Sequence, residues 1–295
     1  MKIIIRNCNV AELDIPLKYA TKLYNEFAIR HPNAFYLRTR QRGMQNWDGK
    51  IKYITKTGQF KIGLLPSVYK RCIELGIKPI IVDMRQPLPK VSKVVTQIGK
   101  YKLRPEQEKA VKAILSNKLG ETPFQIGVLD YTVNAGKTLI MSALYLSYKK
   151  QLKTLLITND SDWLNQARDE FKQYLPGEDI TFVQGKVLNW SNFTIGMVQS
   201  ISRNMRYYQN ELSKIDMVLI DEADQGGSKQ YQNVITRLFN TRVRIGLSGT
   251  IYMSKLAKDK VKNMNLRCFF GDVLAEFKLK DSIKKGYSTK TIVKT

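Results

Sequence analysis

Histidine, cysteine and long apolar runs are scarce in this chain of 295 residues, and each shortage excludes a class of protein. The single histidine, His31, argues against a Cys/His zinc site, and it also excludes a histidine-dependent catalytic triad unless His31 itself supplies the base. Cys8, Cys72 and Cys268 stand far apart, which excludes a disulfide framework and indicates reduced thiols. The apolar run at 3–5 is too short for a signal peptide or a membrane span, so we expect a soluble, cytoplasmic protein.

Acidic residues are also few, because 25 Asp and Glu stand against 49 Lys and Arg and leave a net charge of +24. Solubility needs far less, so this excess predicts a polyanionic partner. It is densest at the start: residues 1–100 carry 19 basic and 6 acidic residues, and the other 195 carry 30 and 19. A uniformly basic surface with no polyanion is the alternative.

Residues 2–83 predict a small α+β domain with the order β-α-β-β-β-α-β. The expected strands are 3–9, 35–41, 50–55, 59–62 and 77–82, and the expected helices are 17–30 and 66–76. Asp48-Gly49 supplies a turn between two of these strands. Pro87, Pro89 and Gly99 then mark a linker, which limits this domain to residues 1–94.

A different pattern begins at residue 95, where apolar runs alternate with longer amphipathic stretches. The runs are 124–129, 154–158, 180–183, 194–198, 217–220 and 243–247. This alternation is typical of a parallel sheet with helices on both faces. We therefore expect an α/β lobe over residues 95–280.

A phosphate-binding loop is indicated by Ala135-Gly136-Lys137-Thr138, between a buried strand and a helix. Backbone N–H groups at a helix start bind phosphate oxygens, a lysine reaches the terminal phosphates, and a Thr hydroxyl ligates Mg²⁺. The pattern departs from a full P-loop at Tyr131, where Gly is usual. A chance Gly-Lys-Thr at a helix start is the alternative.

An acidic pair, Asp221-Glu222, follows the apolar strand 217–220 and lies where parallel sheets place their ligands. Asp221 is suited to hold Mg²⁺, and Glu222 to orient and deprotonate an attacking water. An acidic helix start, favoured by the helix dipole, is the alternative. Because the Asp221-Glu222 pair occurs together with the Lys137 motif, a shared nucleotide site is favoured over this alternative.

Two further segments fall near the same predicted site. Ser248-Gly249-Thr250 ends the strand 243–247, and Arg104 and Gln107 precede the phosphate loop. A glutamine amide can read both the donor and the acceptor of an adenine edge. Taken alone, each segment is an ordinary turn or an ordinary helix start. The predicted nucleotide-binding residues are Arg104, Gln107, Asn134, Ala135, Gly136, Lys137 and Thr138.

In this order, the motifs resemble the Q motif and motifs I, II and III of superfamily 2 helicases, which are ATP-dependent motors with RecA-like lobes. Asn46 to Ile51, Gly63 to Pro66 and Gly246 to Gly249 extend the resemblance to the recombination helicases of phages, including their small N-terminal domain. It implies ATP and Mg²⁺ as cofactors, and DNA recombination, replication and repair in the host cytoplasm. Asp224, Ser248, Gly249 and Thr250 would couple the ATP site to DNA.

The resemblance also implies DNA-backbone contacts by motif Ia, at Asn159 and Ser161, and by motif Ib, at Gln199 and Ser200. The family's second lobe carries a Gln-x-x-Gly-Arg-x-x-Arg helix, and this sequence contains none. We therefore expect a first lobe that needs a second one and hydrolyses ATP poorly alone. Residues 281–295 are expected to begin the connection between the lobes.

The N-terminal domain is expected to bind DNA without sequence preference. Tyr36, Arg38, Arg40 and Arg42 recur at every second residue, so a strand would project them from one face. Lys50 and Lys52 would lie on the strand across the turn, which completes a cationic face for phosphates. A solvated face is the alternative. Trp47 in the turn is expected to pack on its own domain rather than stack on a base.

The sequence thus predicts the first half of an ATP-dependent helicase or translocase that acts on branched or single-stranded DNA. One alternative is the translocating subunit of a restriction enzyme. Another is a DNA-binding or recruitment module whose ATP site is vestigial. Tyr131 and the missing lobe favour this alternative, and the intact Lys137, Thr138, Asp221 and Glu222 oppose it.

Overall fold

The structure is a computed structural model that describes residues 1–41, 43–91, 93–187, 190–252 and 259–289. The chain forms two compact units, Met1–Arg85 with Tyr252–Gly271, and Gln86–Ile251 with Asp272–Thr295. We call them the N-terminal unit and the lobe. Within the described ranges, every helix is too short or too polar to cross a membrane.

The N-terminal unit is an α+β fold built around a small mixed sheet. Its first elements are β1 (Lys2–Ile5), β2 (Val10–Asp14), α1 (Leu17–Glu26), β3 (Ala28–Arg30), α2 (Ala34–Arg40), β4 (Lys50–Lys52), β5 (Gln59–Lys61), a 3-10 turn (Ile62–Leu64), α3 (Leu65–Glu74) and β6 (Ile80–Asp83). The sheet has the order β5-β2-β1-β6, with β1 and β6 parallel and the other pairs antiparallel. β3 and β4 form a separate antiparallel pair.

The predicted element order for this unit is wrong in its first third. The expected strand 3–9 ends at Ile5, and a turn at Asn7 leads into β2, which forms a hairpin with β1. Asn7 makes this turn because its side-chain Oδ1 accepts from the backbone N–H of Asn9 and Val10. The expected helix 17–30 ends at Glu26, and β3 follows it. The helix beginning near Pro66 is confirmed and ends before Gly76, which has φ +75°.

The predicted strand 35–41 is also wrong, because this segment forms helix α2. Ala34 and Leu37, three residues apart, provide its inward side, while Arg38 and Arg40 face outward. Ala, Leu and Arg are strong helix formers, and here that preference overrides the two-residue period. Arg38 and Arg40 therefore do not form one face of a sheet.

A late segment of the chain belongs to the N-terminal unit. Helix α10 (Asp259–Phe270) packs on the 3-10 turn, where a Cβ on Gly63 would lie 2.1 Å from the Arg267 carbonyl oxygen. Tyr53 Oη donates to Asn265 Oδ1 over 3.0 Å in the same unit. The predicted domain limits had placed the residues of α10 in the lobe. Sequence order alone does not reveal that the chain returns to the N-terminal unit at this point.

The lobe is a seven-stranded parallel sheet with helices on both faces. Its elements are β7 (Gln97–Ile98), β8 (Tyr101–Lys102), α4 (Pro105–Ser116), β9 (Lys118–Leu119), β10 (Thr122–Pro123), β11 (Ile126–Tyr131), α5 (Lys137–Ser147), β12 (Thr154–Thr158), α6 (Ser161–Tyr174), β13 (Ile180–Val183), β14 (Phe193–Met197), α7 (Val198–Arg203), α8 (Met205–Ser213), β15 (Met217–Asp221), a 3-10 turn (Ala223–Gln225), α9 (Lys229–Ile235), β16 (Val243–Ser248), β17 (Val273–Phe277) and α11 (Leu279–Lys284). The large sheet runs β13-β14-β12-β15-β16-β11-β17.

The predicted α/β lobe is confirmed, and each apolar run in the sequence corresponds to a strand. All neighbours in the large sheet are parallel, so their carboxyl ends share one edge. Strand β17 was not predicted, because its burial alternates as in an edge strand rather than continuing as in a buried one. Lys278 and Lys285, which follow β17, form ion pairs with the buried Asp130 and Glu106 of the lobe.

Candidate nucleotide-binding site

The phosphate loop joins the end of β11 to the start of α5. Gly136 caps α5 in the left-handed conformation at φ +70°, and Asn134 also has a positive φ, of 63°. These two residues turn the chain sharply, so that the first N–H groups of α5 point toward the loop without helical partners. Thr138 in the first turn is buried. The local geometry is therefore suited to hold an anion.

Tyr131, the departure from the P-loop pattern, is a strand residue rather than part of the loop. It is the last residue of β11, it is fully buried, and its hydroxyl donates to the Glu106 carbonyl over 2.7 Å. Its side chain therefore links the sheet to α4, and the loop itself needs no glycine at this position.

The start of α4 braces the phosphate loop. Gln107 is 2% exposed; its Nε2 donates to the Ala135 carbonyl over 2.9 Å, and its Oε1 accepts from the Arg104 N–H over 2.8 Å. Arg104 also donates from its guanidinium to the Asn134 carbonyl over 3.2 Å. Both ends of the Gln107 amide are thus engaged within the protein, and the reading of an adenine edge by this residue stays a prediction.

The lysine of the loop and the first carboxylate of motif II meet at the sheet edge. Lys137 Nζ lies 3.6 Å from Asp221 Oδ1, and Asp221 is only 3% exposed. Burial raises the pKa of Asp221, and the charge of Lys137 opposes this rise. Within the part of the chain that the structure describes, the buried Asp221 Oδ1 accepts no hydrogen bond, although the Lys137 ammonium lies beside it. Such an oxygen is suited to ligate a cation or its water shell.

Glu222 follows at the strand end in a conformation that only a few non-glycine residues adopt, with φ +55°. Loss of solvation and the charges of Asp221 and Asp224 raise the pKa of Glu222, although the residue is exposed overall. A carboxylate with a raised pKa beside a cation site is suited to accept a proton from water. The strained backbone fits a functional position, because such strain persists only where neighbouring structure holds it.

Motifs II and III are joined by a direct hydrogen bond. Ser248 Oγ donates to Asp224 Oδ1 over 2.8 Å, and the Thr250 N–H donates to Ser248 Oγ over 3.2 Å. Gly249 packs against the chain after β11, where an added Cβ would lie 3.2 Å from Thr132 Cα. The three strand ends β11, β15 and β16 are therefore connected through side chains and close backbone packing.

The residues assigned to motifs Ia and Ib also follow neighbouring strands. Asn159 follows β12, Gln199 lies in the first turn of α7 after β14, and Gln199 Nε2 approaches the Asn159 carbonyl at 3.4 Å. Asp160 caps α6 by accepting from the Asp162 and Trp163 N–H groups. Its negative charge is thus used at a helix start, and Ser161 begins that helix.

The proposed DNA-binding side chains of the N-terminal unit do not form the predicted sheet face. Arg38 and Arg40 lie on helix α2, and Arg42 lies outside the described residues. Lys50 and Lys52 lie on β4, where Lys52 pairs with Asp48 at 3.2 Å. Trp47 packs on its own unit, since its Nε1 donates to the Lys50 carbonyl and its ring meets His31 edge-on.

One residue near the site gave no signal in the sequence. Tyr231 on α9 is 1% exposed, and its hydroxyl finds no hydrogen-bond partner among the described residues. Burial and the carboxylates of Asp221, Glu222 and Asp224 raise its pKa. A tyrosine in an amphipathic helix is typical of a core residue, so only the fold reveals that it lies near motif II.

A parallel sheet whose carboxyl edge gathers a phosphate loop, an Asp-Glu pair and a Ser-Gly-Thr turn defines the ATPase lobe of a superfamily 2 helicase. The chain belongs to the family described as type III restriction enzyme, res subunit, whose model matches residues 100–253.

Similar proteins agree with this assignment. The ATP-dependent DNA helicase UvsW of Enterobacteria phage T4 is 24% identical over 227 residues, which is 70% of this chain and 43% of that protein. A protein of Acanthamoeba polyphaga mimivirus that carries the name of an ATP-dependent RNA helicase is 26% identical over 147 residues, half of this chain and 27% of that one. The chain thus spans less than half the length of either relative.

The fold matches a solved structure along nearly the whole chain. A crystal structure of the UvsW helicase from bacteriophage T4 superposes with a TM-score of 0.71 at 21% identity, and covers 93% of this chain and all of that one. At this identity, the match establishes the architecture, including the N-terminal unit.

Proposed function

We propose that this chain is the ATP-binding half of a DNA helicase or translocase that acts on branched DNA in phage recombination, replication and repair. One observation carries the proposal: Lys137 Nζ lies 3.6 Å from the buried Asp221 Oδ1 beside the phosphate loop. The name of the T4 relative supports DNA as the substrate. Because that relative comes from a phage, we propose the host cytoplasm as the place of action.

Each residue of the site has a role that its position supports. The N–H groups at the start of α5 and the ammonium of Lys137 bind the nucleotide phosphates. Asp221 and the Thr138 hydroxyl would hold Mg²⁺, which supplies positive charge against the phosphates during transfer. Glu222 orients the attacking water and accepts its proton. A second lobe would supply arginines for the transition-state charge.

DNA contacts are assigned to both units. Asn159 and Ser161 follow the end of β12, and Gln199 and Ser200 follow the end of β14. The Gln199 amide approaches the Asn159 carbonyl at 3.4 Å. In the N-terminal unit, Arg38, Arg40 and Lys50 are exposed and basic. Such a set binds the DNA backbone without reading sequence. Coupling between the DNA and ATP sites is assigned to the hydrogen-bonded pair Asp224 and Ser248.

A recruitment module with a vestigial ATP site is the competing function. Tyr131 no longer favours it, because this residue belongs to β11 and leaves the loop intact. The translocating subunit of a restriction enzyme shares the family, but the relative with the wider coverage of this chain is named as a phage DNA helicase.

The test is DNA-stimulated ATP hydrolysis by a protein that carries this lobe together with a second one. Forked DNA should stimulate phosphate release more than a linear duplex of the same composition. Hydrolysis that no DNA stimulates would contradict a DNA motor. Stimulation by linear duplex alone would favour the restriction-type translocase over an enzyme for branched DNA.

A further inference from the structure

Helix α2 of the N-terminal unit carries two large rings on its outer side. Phe35 is 80% exposed and Tyr36 is 54% exposed. Among the exposed large apolar side chains of the described residues, Phe35 has the highest value, ahead of Leu17 at 75%. Single exposed apolar residues are common, but two adjacent rings on one short helix place a sizeable apolar surface in water.

The rings stand on a fixed element. Ala34 at the start of α2 is buried against Gly49, where an added Cβ would lie 3.0 Å from the Ala34 Cβ. Thr39 Oγ1 bonds to the Phe35 and Tyr36 carbonyls, at 3.1 and 3.0 Å. The neighbouring turn is held by the Trp47 indole, which donates to the Lys50 carbonyl. A rigid platform loses little conformational freedom when it binds a flat partner.

Positive charge accompanies each ring. Arg38 lies three residues after Phe35, and the Arg40 guanidinium lies 5.0 Å from the Tyr36 ring centre, four residues on. The helix contains no acidic residue. Neither arginine has an ion-pair partner in the part of the chain that the structure describes. Asp48 nearby is already paired with Lys52. The surface is therefore cationic as well as aromatic.

A single class of partner satisfies both features. An acidic peptide would pair with the arginines but would leave the rings exposed. A base-paired duplex offers phosphates but keeps its base faces stacked inside. An unpaired strand offers phosphates and free base faces together, which is what proteins that bind single strands recognise with aromatic and cationic side chains.

We propose that Phe35 and Tyr36 form a stacking platform for unpaired DNA bases, with Arg38 and Arg40 neutralising the adjacent phosphates. This inference rests on the proposed DNA-dependent function and gives the N-terminal unit a specific role there: it selects unpaired strands over duplex. Stacking tolerates any base, so the platform agrees with binding that does not depend on sequence.

The experiment measures affinity of the 295-residue chain for fluorescein-labelled oligothymidine and for a blunt duplex, by anisotropy across a salt titration. Phe35→Ala should weaken oligothymidine binding about tenfold, as expected for loss of one stacked base. Duplex affinity and the slope against salt should stay unchanged, since no charge is removed. Phe35→Trp should restore binding, and its added fluorescence, relative to wild type, should be quenched by unlabelled oligothymidine.

Leu17→Ala is the matched control, because Leu17 is a similarly exposed apolar residue of the same unit and its variant should bind as wild type does. Wild-type affinity of Phe35→Ala would overturn the platform, as would equal losses for oligothymidine and duplex or an unquenched signal from the introduced tryptophan. Arg38→Ala with Arg40→Ala separates the two proposals. A weaker affinity and a flatter salt dependence in that variant would keep DNA binding by this unit even if the platform fails.

Discussion

The side-chain amide of Gln107 donates to the Ala135 carbonyl over 2.9 Å, which connects the start of α4 directly to the phosphate loop. The other end of the same amide accepts from the Arg104 N–H. A residue whose type suggests base recognition is thus occupied in holding the loop in place. Substitutions of Gln107 and Gly136 separate these roles and test the loop itself.

Gln107→Ala should weaken ATP and GTP binding to the same extent. The variant removes the contact that fixes the loop, and the loop binds phosphates, which both nucleotides share. Competition titrations with a fluorescent nucleotide would measure both affinities. Lys109→Ala, an exposed change on the same helix, is the control. A selective loss of ATP affinity would instead establish Gln107 as the reader of adenine.

Gly136→Ala should destabilise the lobe and weaken nucleotide binding. Its φ of +70° disfavours any residue with a Cβ, and the added methyl would lie 2.4 Å from Gln107 Nε2. The left-handed conformation alone costs about 1–2 kcal/mol. Urea unfolding would measure the loss, with Gly286→Ala as a control, because Gly286 has a similar φ of +74° and open space around it. Equal losses in both variants would show that the contact with Gln107 contributes nothing.

Glu222→Gln should retain nucleotide binding and abolish hydrolysis in a protein that carries both lobes. The amide keeps the shape of the side chain but cannot accept a proton from water. Phosphate-release kinetics and nucleotide titrations would separate the two effects. Turnover equal to that of the wild type would exclude Glu222 as the base.

Ser248 and Asp224 should be energetically coupled, because a hydroxyl donates to a carboxylate across 2.8 Å. The free energies of unfolding of the wild type, Ser248→Ala, Asp224→Asn and the double variant form a double-mutant cycle. We expect a coupling energy of about 1.5 kcal/mol, because the hydrogen bond has a charged acceptor. Ser248→Ala combined with Glu121→Gln, at a residue whose side chain is 99% exposed, should be additive. If the changes in the free energy of unfolding were additive in both cycles, the proposed coupling between motifs II and III would be contradicted.

The sequence predicted the lobe well because its strands are buried on both faces and appear as continuous apolar runs. The phosphate loop and Asp221 could be placed at one sheet edge for the same reason, since parallel strands order their ends together. Strand β17 was not predicted, because an edge strand has a weaker apolar pattern than a buried strand.

The N-terminal unit was predicted less well, for physical reasons that single residues show. The spacing of Arg38 and Arg40 matches the two-residue period of a strand, but it is also compatible with a helix. The contact of Ala34 with Gly49 favours the helix, and a local sequence pattern does not reveal that contact. The return of α10 to this unit depends on its close packing against Gly63, a contact between distant segments. Local periodicity carries no information on such contacts.

Magnesium-dependent ATP binding by this chain tests the central claim most directly. Calorimetric titration should show binding that weakens when Mg²⁺ is chelated. Lys137→Ala should abolish binding, and Asp221→Asn should bind ATP with an affinity that no longer responds to Mg²⁺. Wild-type affinity and Mg²⁺ dependence in both variants would contradict a shared nucleotide site at Lys137 and Asp221.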